Sequence, residues 1–286
     1  MKAALQLHPS KVNRTYLTTH VFPVLDALNI SYYLLPKRHD SDLSLEKGTD
    51  FIIVLGGDGT FLSGAKVAVR YDIPIIGVMT GRLGFLCNVS IDEFSEVMKR
   101  IAAHDIHVET RTLLNGTVHS RTSGDTSELA INDVVVYRTG SHRIREFVAT
   151  DNDQLIARYR GDGIIVSSPT GSTAYTLAAG GPLLHPKLDA IVLSPICAHS
   201  LFTKPLVLPP DNRITIHGAR GSYPLMVSFD GGRRVKLLSG DTISVVAYDS
   251  RLKIYKPHAD DFYEVLRDKF QHGYLYGGED AEEDQR

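Results

Sequence analysis

Two apolar runs without polar interruption constrain the fold most strongly. Residues 51–55 read FIIVL and residues 73–79 read IPIIGVM. Such strands are typical of parallel sheets that are covered by helices on both faces. From residue 1 to about 105, short apolar runs alternate with segments of helical spacing. We therefore predict an α/β domain with an open, mostly parallel sheet over residues 1–105.

After about residue 106 the pattern changes to strand-sized segments bounded by Gly, Asn, Asp or Ser, such as NRITIHG and DTISVVAYDS. This texture predicts a mainly β, sandwich-like domain over residues 106–260. Helical spacing returns in DDFYEVLRDKF, which predicts a helix at about 261–272 that packs back on the first domain. The acidic end GGEDAEEDQR lacks apolar residues, and we expect disorder over residues 273–286.

Charge and cysteine content exclude several classes of partner. The chain has 31 basic and 33 acidic residues, so it lacks the basic field that binds nucleic acids or anionic membranes. Its two cysteines, Cys87 and Cys197, show no spacing for a zinc site or a disulfide framework. The N-terminal apolar run is too short for a signal peptide, and no window approaches the roughly 18 apolar residues of a membrane span. We expect a cytoplasmic protein.

The segment GGDGT, residues 56–60, directly follows the first apolar run. Its glycines allow backbone N–H groups to approach an anion, and the start of a helix adds positive potential. A dinucleotide fingerprint requires glycine at Leu62 and a P-loop requires lysine at Ala65, so both motifs are excluded. Asp58 suits such a turn if it binds a metal ion or accepts a proton from a hydroxyl that attacks phosphorus. The alternative is a tight turn closed by an aspartate side chain.

Two further segments carry polar groups in unusual places. Residues 161–182, GDGIIVSSPTGSTAYTLAAGGP, crowd hydroxyls around glycines and could bind a nucleoside; the alternative is a loop that caps itself. Asn132 and Asp133 begin a strand otherwise filled by Val, where polar groups need partners, unless they lie exposed at the strand start.

Arg82 and Arg160 lie beside glycines, where they could neutralise phosphate oxygens or be ordinary surface charges. Phe85 could face a nucleotide base or fill the core.

Six motifs occur in the order found in the NAD kinase family: GGDGT, GRLGFL, INDVVV, RGDGIIVSSPTGSTAYTLAAGGP, SPICAHSLFTKPLVLP and VSFDGG. Over residues 50–232 the chain resembles this family. GGDGT alone is shared with diacylglycerol- and sphingosine-type lipid kinases and with 6-phosphofructokinases. The long segment ending in GGP is similar to the NAD-binding loop of NAD kinases and separates them from lipid kinases.

The resemblance implies transfer of the γ-phosphoryl group of ATP, or in some members of polyphosphate, to the 2′-hydroxyl of the adenosine ribose of NAD. It implies a divalent cation, Mg²⁺ above all, whose ligands the sequence does not identify. It also implies a homodimer or homotetramer. Two alternatives remain: a GGDGT-type lipid or sugar kinase, and a non-catalytic sensor of the same fold that binds NAD or NADP.

The resemblance also assigns roles to residues. Asp58 is the implied general base, and Gly57, Gly59 and Thr60 are the implied phosphate-binding residues. Arg82 is a further candidate for phosphate binding because of its place beside the glycines. The implied NAD-binding residues are Asp58, Gly59, Phe85, Asn132, Asp133, Arg160, Asp162, Thr173, Ala174, Tyr175 and Asp230. The family usually has Glu at the position of Asp133, so the shorter carboxylate reaches its hydroxyl through water or holds the ribose differently.

Overall fold

The computed structural model describes residues 1–36, 43–81, 83–140, 144–199, 203–219, 224–257 and 262–275. By their contacts the residues form two units: the first comprises residues 1–109 and 253–286, and the second comprises residues 110–252. No helix in these described ranges is both long enough and apolar enough to cross a membrane.

The strands are β1 Lys2–Leu7, β2 Ser31–Leu34, β3 Phe51–Gly56, β4 Ile75–Met79, β5 His107–Arg111, β6 Leu114–His119, β7 Thr126–Ala130, β8 Asp133–Arg138, β9 Arg145–Asp151, β10 Gln154–Gly161, β11 Gly163–Ser167, β12 Ile191–Ile196, β13 Leu206–Leu208, β14 Ile214–Gly218, β15 Leu225–Phe229, β16 Arg234–Leu237, β17 Thr242–Ala247 and β18 Leu252–Lys256. The helices are α1 Arg14–Tyr16, α2 Phe22–Ala27, α3 Asp58–Arg70, α4 Phe94–Ala102, α5 Tyr175–Ala178 and α6 Phe262–Leu275. A π-helical turn, Leu17–Val21, joins α1 to α2, and a 3₁₀ helix, Thr170–Thr173, precedes α5.

The first unit is built on a sheet in the order β2-β1-β3-β4-β18-β5, whose neighbours from β2 to β18 run parallel. Every residue of β3 is buried. One face of the sheet packs against α2 and α4, where Ile53 joins a core with Leu25 and Phe94. The other face carries α3, whose Gly64 lies against Val54 and Ile75. Helices on both faces confirm the predicted α/β architecture.

The second unit contains two antiparallel sheets, in the orders β10-β9-β14-β17-β6-β7 and β13-β12-β11-β8-β15-β16. Their inner faces share one buried apolar core, to which Phe147 and Ile243 contribute from one sheet and Val134 and Ile164 from the other. This arrangement confirms the predicted sandwich.

The outer face of the second sheet carries polar residues because side chains alternate along a strand. In β8, Val134 and Val136 belong to the inner core, so Asp133, Val135 and Tyr137 point to the outer face. Val135 forms a small separate apolar cluster there with Ile165 and Ile196, against which Tyr137 also packs. The candidate site of this unit lies on that face.

The C-terminal part differs in detail from the expectation. Strand β18, placed by sequence in the β domain at 106–260, instead pairs with β4 through Ile254 and Ile75, because its buried side chains complete the first sheet. Helix α6 runs from Phe262 to Leu275 instead of 261–272, and its Phe262 ring lies 6.4 Å from that of Phe85. Residues 276–286 of the expected disordered tail lie outside the described residues.

Ser90 and Glu93 form a capping box ahead of α4. The Ser90 hydroxyl accepts the N–H of Glu93 at 3.2 Å, and the Glu93 carboxylate accepts the N–H of Ser90 at 3.0 Å. These reciprocal bonds pair backbone donors that have no partner inside the helix.

We expect Ser90→Ala to lower the free energy of unfolding by about 1 kcal/mol, because it removes the cap. Urea denaturation followed by circular dichroism measures the loss. Glu96→Gln is the control, since Glu96 is exposed on the same helix and its 3.4 Å pair with Lys99 is also exposed. Equal effects of the two substitutions would contradict a capping role.

Candidate active site

The glycine-aspartate turn joins β3 to α3. Gly57 is the N-cap of α3, in an extended conformation, and its carbonyl accepts the N–H groups of Thr60 and Phe61, each at 3.0 Å. A side chain built at Gly57 or Gly59 would meet no atom within 4 Å, so the outer side of the turn is open. Backbone N–H groups at the start of a helix, with open space before them, suit an anionic ligand.

Asp58 occupies the first position of α3, and backbone amides of a later loop hold its carboxylate. Oδ1 accepts the N–H groups of Leu86 and Cys87, and Oδ2 accepts that of Phe85, each at 3.0 Å. A carboxylate has about four acceptor sites, so these bonds leave about one, on Oδ2. The loop comes so close that a β-carbon at Gly84 would lie 2.1 Å from Oδ1. Glycine is therefore required at position 84.

Two other ionisable side chains are buried near this carboxylate. Burial, and next the charge of Asp58, raise the pKa of the Cys87 thiol far above its ordinary value, while Lys256 acts in the opposite direction. Cys87 is thus an unreactive thiol in the core. Lys256 is 1% exposed and brings a positive charge to the same buried region.

Thr60, Phe85 and Arg82 are the other candidate ligand-binding residues of the first unit. Thr60 packs over Gly56, where an added β-carbon would lie 2.6 Å from the Thr60 hydroxyl. Phe85 supplies a backbone donor to Asp58 and packs its ring near Phe262, which the sequence did not indicate. Arg82 lies outside the described residues.

The second unit contains a cavity of about 810 Å³ on the outer face of its second sheet. Its size suits a nucleoside-sized ligand. Its walls combine apolar and charged side chains: Asn132, Asp133, Val135, Tyr137, Arg138, Asp162, Ala174, Tyr175, Ile196, Cys197, Ser228, Asp230, Gly231 and Arg234. The cavity thus brings together the predicted Asn132, Asp133, Asp162, Ala174, Tyr175 and Asp230.

Asp230 fixes one end of the cavity through the backbone. Its carboxylate accepts the N–H groups of Ile131, Asn132 and Asp133, at distances from 2.8 to 3.2 Å. Its own N–H donates to the carbonyl of Asp133 at 3.0 Å. Asp230 adopts a φ of 49°, a left-handed conformation that aspartate tolerates better than most residues. The side chain thus positions the start of β8.

Asp133 is the cavity carboxylate that remains available. It is 5% exposed, and in the described part of the chain its carboxylate accepts no hydrogen bond. Burial, followed by the nearby Asp230, raises the pKa of Asp133 to about 7. A buried acceptor without a partner is costly, and hydroxyl groups of a ligand would satisfy it.

The side-chain hydroxyls of residues 161–182 mostly form hydrogen bonds inside the protein, as expected of the alternative in which they do not face a ligand. Ser168 Oγ donates to the Ile131 carbonyl at 2.5 Å and Ser167 Oγ to the Asn132 carbonyl at 3.2 Å. Thr173 donates to the Thr170 carbonyl at 3.1 Å and does not line the cavity. These bonds are made inside the protein because the loop is buried there. Asp162, Ala174 and Tyr175 are the residues of this segment that line the cavity, and Tyr175 is 46% exposed.

Two arginines, Arg160 and Arg138, differ in their position relative to the cavity. Arg160 lies exposed on β10 and is not among the cavity residues, although its carbonyl accepts the N–H of His199 at 2.8 Å. Arg138, which the sequence did not single out, lines the cavity and donates from Nε to Asp162 at 2.7 Å. The alternation of β8 could have predicted that Tyr137 shares a face with Asp133. It gives no indication of the Arg138–Asp162 pair, because Arg138 ends β8 and Asp162 lies 24 residues later, between β10 and β11.

No group of three or more His, Cys, Asp or Glu side chains that could hold a metal ion occurs among the residues described. Mg²⁺ in phosphoryl-transfer sites is usually held by one or two carboxylates together with substrate phosphates.

Comparison with protein families gives matches over most of the chain. Residues 10–106 match the ATP-NAD kinase N-terminal domain, and residues 131–256 match the ATP-NAD kinase C-terminal domain. The NAD kinase of Magnetococcus marinus is 38% identical over 85% of this chain and 80% of its own length. That of Methylibium petroleiphilum is 42% identical over 78% of this chain and 75% of its own.

Solved structures share the fold. The yeast NADH kinase complexed with NADH superposes with a TM-score of 0.82 at 24% identity, covering 94% of this chain and 87% of that one. The NAD kinase of Archaeoglobus fulgidus in complex with ATP gives a TM-score of 0.75 at 24% identity, covering 95% and 99%.

The raised pKa of Asp133 predicts a pH dependence of stability. Between its ordinary value of 3.8 and about 7, the folded protein holds a proton that the unfolded chain releases. Stability from this group is therefore full below pH 3.8 and is lost as the pH rises through 7. Asp133→Asn removes that loss, so we expect the variant to gain stability relative to the wild type between pH 5 and 8.

Urea unfolding of both proteins at pH 5 and pH 8 measures this difference. Asp72→Asn serves as a control, because Asp72 is exposed and pairs with Lys253 at 2.7 Å. A stability difference between wild type and Asp133→Asn that is the same at both pH values would show that Asp133 is not buried as described.

Proposed function

The chain belongs to the NAD kinase family, and from that premise we propose how its residues carry out the reaction. It transfers the γ-phosphoryl group of ATP to the 2′-hydroxyl of the adenosine ribose of NAD, which gives NADP. The observation that carries the assignment of roles is the position of Asp58, a carboxylate at the start of α3 inside a glycine turn that is open to a ligand.

Asp58 is the proposed general base. Phosphoryl transfer depends mainly on positioning and charge neutralisation, and the attacking hydroxyl must lose a proton. The amides of residues 85–87 fix the carboxylate and leave about one acceptor site on Oδ2. That site can accept a hydrogen bond from the ribose hydroxyl and then take its proton.

The donor phosphates are proposed to bind at the turn. Gly57 and Gly59 have no neighbour that would exclude a phosphate, and the amides at the start of α3 and the side chain of Thr60 can donate to it. Arg82 is the proposed cation for the same phosphates. Mg²⁺ is proposed to bind as a complex with ATP, neutralising charge on the phosphates. ATP is the proposed main phosphoryl donor, and polyphosphate is proposed as a second donor.

NAD is proposed to bind in the cavity of the second unit. Asp133 and Asn132 would accept and donate hydrogen bonds to the adenosine, while Tyr175 and Ala174 would pack against it. Asp230 acts by holding the amides of residues 131–133. Asp162 also lines this cavity. Gly59, Phe85, Arg160 and Thr173 are not among its lining residues and are proposed as NAD contacts on the family resemblance alone.

We also propose that the enzyme is a cytoplasmic homodimer or homotetramer. Both cysteines are free, which suits a reducing compartment. The edge strand β13 exposes Leu206 and Val207, apolar side chains that a second copy could cover.

The activity is tested by incubating the pure protein with NAD, ATP and Mg²⁺ and following NADP with an NADP-specific dehydrogenase. The proposal requires NADP to accumulate in proportion to enzyme. Absence of NADP with either ATP or polyphosphate, despite binding of NAD, would identify a non-catalytic sensor. Phosphorylation of a lipid or sugar in place of NAD would identify the rival kinase.

Asp58→Asn tests the proposed base. Because a positioned base contributes about a hundred- to ten-thousandfold in rate, we expect kcat to fall by that range. The Kd of NAD should change far less, because at most one hydrogen bond to the ribose is weakened. The N–H₂ group of Asn cannot accept a hydrogen bond from the loop amides as the carboxylate does, so the substitution can also lower stability. The free energy of unfolding of the variant is therefore measured in parallel. Asp72→Asn is again the matched control. Near-normal turnover of a folded Asp58→Asn variant would exclude the role of base.

A further inference from the structure

We propose that Arg234 binds a phosphate group of the dinucleotide in the cavity of the second unit. This inference rests on the proposed function, because it takes NAD and NADP as the ligands of that cavity. It adds a cationic residue that neither the sequence motifs nor the family matches single out.

None of the three cavity carboxylates, Asp133, Asp162 and Asp230, forms an ion pair with Arg234 in the described structure. Asp162 pairs with Arg138 at 2.7 Å, and Asp230 is bound by backbone amides. The adjacent Arg233 is not a cavity residue and pairs with Glu128 at 3.2 Å. Among the described residues, the side chain of Arg234 makes no ion pair or hydrogen bond, although it lines the cavity. An exposed guanidinium at a cavity wall is a donor for an incoming anion.

Strand alternation directs Arg234 to the ligand side of the sheet. Its neighbour in β16, Val235, packs against the inner core, as does Leu237. Arg234 and Lys236 therefore point to the outer face, the same face as Asp133. Lys236, however, does not line the cavity.

The register of the sheet sets the distance between the two charged groups. Val135 pairs with Ser228, and Ser228 pairs with Arg234, so these residues form one row across β8, β15 and β16. With strands about 4.8 Å apart, Arg234 lies about 10 Å from Val135, and Asp133 lies about 7 Å further along β8. The Cα atoms of Asp133 and Arg234 are thus about 12 Å apart. The side chains of Asp133 and Arg234 can therefore contact the same nucleotide. Its hydroxyl groups would bind Asp133, and one of its phosphates would bind Arg234.

Guanidinium suits this task because its planar donors form paired hydrogen bonds with phosphate oxygens. Two phosphate sources fit the same chemistry. The pyrophosphate is common to NAD and NADP, whereas the 2′-phosphate occurs in NADP alone. A contact to the pyrophosphate would aid substrate and product equally, whereas a contact to the 2′-phosphate would retain the product.

The test measures the Kd of NAD and of NADP by calorimetry for the wild type, Arg234→Gln and Lys236→Gln. Lys236→Gln is the matched control, since it removes the same charge from the same strand and face. We expect Arg234→Gln to weaken binding about tenfold, with Lys236→Gln changing it less than twofold. Higher ionic strength should weaken binding to the wild type more than to Arg234→Gln.

The changes in the Kd of NAD and of NADP distinguish the two phosphate sources. Equal loss for NAD and NADP assigns Arg234 to the pyrophosphate, and loss for NADP alone assigns it to the 2′-phosphate. Unchanged affinity for both ligands in a folded Arg234→Gln variant, or an equal loss in Lys236→Gln, overturns the proposal while leaving the NAD kinase assignment intact. A wild-type protein that binds neither ligand overturns the proposed function together with this inference.

Discussion

In each of the two units, hydrogen bonds from backbone amides to an aspartate carboxylate hold the candidate binding residues of that unit in place. In the first unit Asp58 accepts the amides of Phe85, Leu86 and Cys87, and in the second Asp230 accepts those of residues 131–133. Loop amides that turn away from a sheet need an acceptor when they are buried. A charged acceptor that serves three of them at once fixes a loop more firmly than separate neutral bonds would.

The acidic residues of the candidate sites fall into two groups: those bonded to protein donors and those with acceptor sites left for a ligand. Asp230 and Asp162 are engaged by protein donors, whereas Asp133 is buried without a hydrogen-bond partner within the described chain. Asp58 combines both tasks, because three amides position it and about one acceptor site remains. Each carboxylate can thus be positioned by the fold before a substrate arrives, and this preorganisation is what phosphoryl transfer requires of the protein.

The sequence predicted the parts of the site that local pattern determines. The apolar run ending in GGDGT placed Asp58 at a strand-to-helix turn, and two polar residues among valines marked Asn132 and Asp133 as unusual. It could not predict the amide bonds to Asp58, whose donors lie 27 to 29 residues away in a loop without periodicity. It left open whether the hydroxyls of residues 161–182 bind a nucleoside or bond within the protein, because loop burial depends on tertiary packing; Ser167 and Ser168 bond within the protein.

Binding of NAD in the second-unit cavity is the central claim, and the reactivity of Cys197 tests it most directly. Cys197 is exposed and lines the cavity, whereas Cys87, the other cysteine of the chain, is buried. A thiol reagent such as dithionitrobenzoate should therefore label one site in the native protein. We predict that saturating NAD slows this labelling several-fold in the enzyme that makes NADP. An unchanged labelling rate at saturating NAD would contradict binding in this cavity.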